Sequence, residues 1–276
     1  MNYYTSEKIT NHITVIKSLS GELMYLIEGD KETVLIDTCA GVGHIRQFVE
    51  KLTDKPITVL LSHGHIDHAM GAAEFEKVYI SPKDISLYKS QCSVKERKEY
   101  VTACIGKEAA ALISDEEYTD ARPDYKFREL KEGMVFDLGG IHIEAYELAG
   151  HTKGCMIFLI KEERILILGD ACNNATFLFD DICSTVAEYQ KQIKRAADIL
   201  AGKYDRVFIM HHIMEAPTST FCEMSEVCDT ILAGKADNIP FDFMGKKAYI
   251  AKKSNEQFQR ADKKFANLIY NPERIK

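Results

Sequence analysis

The chain predicts an α/β sandwich, β-rich layers covered by outer helices, on three observations. Short continuous apolar runs of strand length recur in both halves, "TVLID", "ITVLLSH", "CMIFLI", "RILILGD" and "DRVFIMHH". A long amphipathic run, "TVAEYQKQIKRAADIL", carries helix signals at both ends. The order is β-rich half, helix, β-rich half, helix, and a layered arrangement is what buries such strands. The 276 residues, 46% hydrophobic and 28% charged, suit one large domain or two small ones.

Taken in order, residues 11–37 read as β structure. "HITVIKS" and "ELMYLIEG" are short apolar runs, "GDKE" is a turn, and "TVLID" is a buried strand ending at Asp37. "GHIRQFVEKL" has helical spacing, with Ile45, Phe48, Val49 and Leu52 on one face. "ITVLLSH" is a second buried strand ending at His63. Residues 82–122 are polar and rich in helix formers, and predict two or three short covering helices. Strands resume with "YKFREL", "MVFDL" and "IHIEAYEL", and Gly139-Gly140 marks a hairpin turn. "CMIFLI" and "RILILGD" pair across a polar turn. Thr185 and Glu188 form a capping box and Gly202 follows the helix end. "DRVFIMHH" is a further strand. Beyond residue 216 one helix (Glu223 to Ala233) and one strand (Lys247 to Ala251) are expected.

Composition excludes several classes. The formal net charge is −7 and no long Lys/Arg run is present, so no nucleic-acid partner is expected. No run approaches the ~20 apolar residues that span a bilayer, and "MNYYTSEKIT" lacks a signal-peptide core. The reading is a cytoplasmic protein with no membrane partner. The 8 scattered cysteines contain no C-x-x-C pair and are expected as mostly buried thiols.

The chemistry concentrates at strand ends. "LLSHGHIDHAMGA" packs His63, His65, Asp67 and His68 into six positions. Imidazole and carboxylate are ligands that Zn²⁺ takes at roughly 2.0–2.2 Å. Extended residues two apart point the same way, so His63 and His65 can share one position. A turn after them can present Asp67 and His68 to a second, which makes two adjacent metals plausible. "ELAGHTKGC", "LILGDACN" and "VFIMHHIM" add His151, Asp170, His211 and His212, each after a strand.

These motifs resemble those of the metallo-β-lactamase-fold superfamily. "SHGHIDHAMGA" looks like its H-x-H-x-D-H signature, "AGHTKGC" its GHT-x-G motif, "LGDA" its bridging-aspartate motif and "LIDTCAG" its first motif. The resemblance runs from about residue 10 to 215. It implies a four-layer αββα sandwich over 1–215 with a helical lid insertion at about 82–122. Residues 216–276 would be a C-terminal extension packed on the same domain.

Carried over, the resemblance implies that His63, His65 and His151 hold one ion and that Asp67, His68 and a last histidine hold the other. Asp170 would bridge them, and Asp37 would fix loops or orient a ligand. Register with the family's G-H-G favours His212 as the last ligand and leaves His211 to the substrate pocket. The implied cofactor is two divalent ions, zinc first, with iron or manganese as alternatives. Such a pair shares a bound water and lowers its pKa, giving a metal-bridged hydroxide, with Asp67 and Asp170 handling the proton. The implied reaction is hydrolysis of a small-molecule ester, thioester, lactone, amide or phosphodiester, in the glyoxalase II-like and lactonase-like branch.

His65 argues against the relatives that reduce oxygen or nitric oxide at two irons, which carry Glu there. Asp170 argues against the zinc β-lactamases. A mononuclear-iron oxidoreductase of the sulfur-dioxygenase kind is the alternative. Tyr88, Tyr100 and Tyr118 of the insertion are candidates to line the pocket, as are Phe177 and Phe179 after Asp170. Cys172 lies two positions beyond Asp170. His12, His44 and His142 match no motif. A homodimer contact through 216–276 is left open.

Overall fold

A computed structural model of the chain describes residues 2–243 and 245–276. Contacts gather it into two compact units, 1–145 with 210–212, and 146–209 with 213–276.

The first unit is built on a seven-stranded sheet whose spatial order follows the chain. β1 (Tyr4–Lys8), β2 (Ile13–Ser18), β3 (Leu23–Glu28) and β4 (Thr33–Ile36) form an antiparallel meander. α1 (Ile45–Val49) then crosses over to β5 (Ile57–Leu60), which lies parallel to β4. α2 (Ile66–Ala69) precedes β6 (Val78–Ile80), also parallel to its neighbour. The predicted covering helices are α3 (Ile85–Ser90), α4 (Val94–Ile105) and α5 (Lys107–Ala110), and they lead to the parallel edge strand β7 (Arg128–Glu129). Strands buried on both faces need unbroken apolar runs, which is how β3 and β4 read. Their side chains join those of β5, α1 and Tyr88 of the insertion in one core. Buried Arg97 ties α4 down, donating to the carbonyls of Ala40, Gly41 and Thr119. β8 (Val135–Asp137) and β9 (His142–Glu147) are the predicted hairpin, with Gly139 and Gly140 at φ 83° and 85°.

In the second unit β10 (Met156–Ile160) and β11 (Ile165–Ile167) pair antiparallel. A short β12 (Thr176–Leu178) is followed by α6 (Val186–Leu200). The capping box of α6 is present as read, Thr185 accepting from the Glu188 N–H and Glu188 accepting from that of Thr185. β13 (Arg206–Phe208) lies parallel to β11, and β14 (Glu215–Ala216) returns antiparallel to it. α7 (Thr220–Leu232) packs on α6. A second sheet, in the order β12-β17-β16-β15, brings in β15 (Ile239–Phe243), β16 (Lys246–Ile250) and β17 (Leu268–Tyr270). Residues 216–276 therefore share a unit with 146–209. No helix among the described residues is long and apolar enough to cross a membrane. All eight cysteines are free thiols, five of them buried.

Candidate metal centre

The histidine loop leaves the end of β5 in three steps. Ser62 and His63 are buried just past the strand, His65 has extended backbone and starts α2, and Asp67 and His68 lie within that short helix. Gly64 is required by close approach, because a Cβ there would stand 2.7 Å from the Asp84 carbonyl oxygen, and its N–H donates to the Asp84 carboxylate.

Asp37, 1% exposed at the end of β4, organises this loop. It accepts the Ser62 N–H and hydroxyl, each at 2.6 Å, and the His68 Nδ1 proton at 2.7 Å. With its own proton given to Asp37, the Ser62 hydroxyl accepts from His63 Nδ1 at 3.0 Å. Both imidazoles thus spend Nδ1 on the network and keep the Nε2 lone pair for a ligand, the arrangement that metal-binding histidines need.

His211 joins from the far end of the chain. Met210–His212 belong to the first unit, where His211 bridges Glu22 and the Leu23 N–H donates to the Met210 carbonyl. His211 Nε2 stands 3.1 Å from His68 Nε2 and 3.5 Å from Asp67 Oδ2, which is 3.7 Å from His68 Nε2. Two ligand atoms at ~2.1 Å on a tetrahedral ion would be separated by roughly 3.4 Å, so these three donors fit a divalent ion. Two imidazole nitrogens facing each other also call for a proton or a cation between them. His63 and His65 form a neighbouring pair, their ring centroids 4.8 Å apart.

The expectation at His212 is corrected by this geometry. His211, not His212, enters the cluster. The chain turns at His212, whose φ is 56°; its N–H donates to the Gly21 carbonyl and its ring lies against Gly21. Register favours His212 only where the backbone is extended through both residues, and the left-handed residue breaks that alternation.

The second unit holds its own pair. His151 Nδ1 donates to the Phe177 carbonyl at 2.7 Å, which leaves Nε2 3.9 Å from Asp170 Oδ2. Asp170 sits in a 3-10 turn after β11, and the buried Tyr189 of α6 donates to the carbonyl of the next residue, Ala171. Phe177 packs its ring on Phe179, Phe241 and Phe243, with centroids 5.1, 5.8 and 5.1 Å away. Cys172 is fully buried, and burial pushes its thiol well above the ordinary range.

Of the three tyrosines singled out in the insertion, Tyr88 is core. Tyr118 lies under the Arg97 and Lys98 cations. Tyr100 reaches the centre, its hydroxyl donating to Glu22 Oε1 at 2.6 Å and lying 3.2 Å from Asp67 Oδ2. Burial pushes this phenol well above its ordinary value, and the Asp67 and Glu22 charges push the same way. Glu22 was not anticipated as part of the site; the available signal was a carboxylate between Gly21 and the wholly apolar "LMYLI". His12 and His142, which match no motif, stand near Glu28 and Asp137 instead.

A family model described as the metallo-beta-lactamase superfamily matches residues 19–211, well over half of the chain. An atrochrysone carboxyl ACP thioesterase of Aspergillus chevalieri is 26% identical over 156 residues, 55% of this chain and 40% of that protein. The acyl-coenzyme A thioesterase MBLAC2 of Gallus gallus is 22% identical over 213 residues, 69% of this chain and 72% of its own. The match thus spans less than half of the fungal relative's length. Among solved structures, a metallo-beta-lactamase from Pontibacter korlensis has a TM-score of 0.58 at 17% identity, over 81% of this chain and 97% of that one. A sec-alkylsulfatase of Pseudomonas sp. has a TM-score of 0.62 at 14% identity, over 84% and 42%. These likenesses show the fold read from the sequence, the αββα sandwich.

Proposed function

The chain belongs to the metallo-β-lactamase superfamily, and from that premise we propose that it is a metal-dependent hydrolase of acyl thioesters. The observation that carries the reading is the donor set of the first unit, two imidazole Nε2 atoms and a carboxylate oxygen 3.1 to 3.7 Å apart, at the family's own motif. The family's motif order assigns His151 and Asp170 to the same centre. Two divalent ions, zinc first, are the proposed complement: His63, His65 and His151 at one, Asp67, His68 and His211 at the other, and Asp170 shared.

When bound, such ions supply an activated water at neutral pH and polarise the acyl carbonyl. The chain's residues do the rest. Asp37 and Ser62 hold His63 and His68 in the ligating tautomer. As water adds to the carbonyl carbon and the C–S bond breaks, Asp67 or Asp170 takes the proton that the water releases. That proton ends on the leaving thiolate. Phe177, Phe179, Phe241 and Phe243 form an apolar wall that suits an acyl or aryl group. The thioester is favoured over the lactone and phosphodiester by the names of the relatives, two of them thioesterases.

The test is a substrate panel. Metal-loaded protein is assayed for thiol release from short- and long-chain acyl-coenzyme A thioesters, beside lactones and phosphodiesters. Thioester turnover that falls at least ~100-fold in Asp170→Asn supports the proposal. Turnover of phosphodiesters alone, or thioester turnover indifferent to Asp170→Asn, sinks it.

A further inference from the structure

The β2–β3 turn carries a buried carboxylate for which the hydrolytic reading has no use. Glu22 is 1% exposed. Taking a carboxylate out of water costs several kcal/mol unless donors compensate. Here they do: Ser18 and Ser20 donate their hydroxyls and Cys39 its thiol to Oε2, while Tyr100 donates to Oε1 at 2.6 Å. A surface turn gains nothing from such a group, and a Ser or Asn would close it as well. What distinguishes the position is what it touches.

Two of the three donors of the proposed second ion hang from this one residue. Its side chain fixes Tyr100, whose oxygen stands 3.2 Å from Asp67 Oδ2, the oxygen that faces both imidazoles. A phenol has one proton, and the shorter distance makes Glu22 its acceptor. Tyr100 is thereby held as a buttress that limits the swing of Asp67. The backbone of Glu22 meanwhile bridges His211, flanked by bonds from Leu23 N–H to Met210 and from His212 N–H to Gly21. Gly21 permits that approach, since a Cβ there would stand 2.7 Å from the His212 ring. Tyr100 itself is delivered by α4, which Arg97, one turn earlier on the same face, pins to the loop after β4.

We propose that Glu22 and Tyr100 are positioning residues for the second ion, setting Asp67 and His211 at ligating distance while leaving the His63–His65 position alone. The inference rests on the ligand assignment proposed above. It gives the helical insertion a role in building the centre, beyond covering it. Partners that orient ligands without touching the ion are commonly worth ~10–100-fold in metal affinity.

The experiment is a titration of metal-stripped full-length protein with zinc against a competing chelator, resolving two binding steps, with the melting temperature of the stripped protein as a second readout. Tyr100→Phe and the isosteric Glu22→Gln are compared with Tyr118→Phe, a phenol of the same insertion that faces Lys98 and Arg97. The expected result is a 10–100-fold weakening of one step in the first two variants, with the other step and Tyr118→Phe at the wild-type value. Unchanged titrations in both variants overturn the inference. So does equal weakening of both steps with a fallen melting temperature, which marks a merely structural role. Should Tyr100→Phe fail to fold, Glu22→Gln decides alone by the same outcomes. A wild-type protein that binds no zinc defeats the ligand assignment itself, and this inference with it.

Discussion

His68 and His151, one in each unit, are both buried imidazoles that commit Nδ1 to an acceptor, but the acceptors differ in kind. His68 gives its proton to Asp37, a buried side chain that also holds Ser62 and, through it, His63. His151 gives its proton to the main-chain carbonyl of Phe177. A carboxylate adds charge and basicity to the ring it holds, and gathers several groups around one residue. A carbonyl adds no charge and less basicity, yet no side-chain substitution removes it. The first unit's proposed ligands are therefore exposed to single mutations in a way that His151 is not.

The largest effect should come from breaking the carboxylate tie. Asp37→Ala strands two donors of Ser62 and one of His68 in a dry site, and is expected to cost about 3–5 kcal/mol in urea unfolding. Ion binding by the histidine loop should weaken with it. A loss under 1 kcal/mol would mean that Asp37 is not the organiser. The matching change in the second unit is Phe177→Leu. It keeps the carbonyl and removes a ring from the aromatic wall, so zinc affinity should stay within about twofold. KM for long-chain thioesters should rise ~10-fold with kcat little changed, the cost of a few lost apolar contacts. A large fall in metal affinity would show that the ring, not the carbonyl, holds His151.

Smaller effects separate carboxylates by environment. The exposed Asp262 pairs with the buried guanidinium of Arg260, and hydrogen bonds from Arg260 hold its carboxyl below the ordinary value. A lowered pKa stabilises the fold above the unfolded value, ~3.9 for Asp, and that contribution is lost as pH falls through the folded one. Asp262→Asn should therefore lower the melting temperature slightly at pH 7, and the gap should close as pH falls through the lowered folded value. A gap that persists in acid would mean that packing rather than charge is involved. His212→Ala should be smaller still, well under ~1 kcal/mol with metal binding intact, because its ring lies against Gly21 and outside the donor cluster.

Much of this was legible in the chain. Strands β3, β4 and β5 announce themselves as apolar runs, and the capping box of α6 is written at Thr185 and Glu188. His63, His65, Asp67 and His68 were legible because four candidate ligands within six positions are hard to explain as packing. The weaker signals failed for identifiable reasons. β15 contains Pro240 and alternates apolar with polar, as edge strands do, and β17 is three residues long, so neither reads as a strand. The choice between His211 and His212 turned on one left-handed residue, which no local pattern announces. Glu22 and Tyr100 meet across 78 positions, and only the fold brings a turn carboxylate to an insertion helix.

The central claim is that Asp67, His68 and His211 hold one of two catalytic ions. The most direct measurement is metal content per chain, in protein purified without added metal, for wild type, His211→Ala and His212→Ala, each with its thioester turnover. Two equivalents in wild type and His212→Ala, falling to one in His211→Ala with turnover lost, is the predicted result. A single equivalent of iron in all three, with turnover indifferent to His211→Ala, would contradict it.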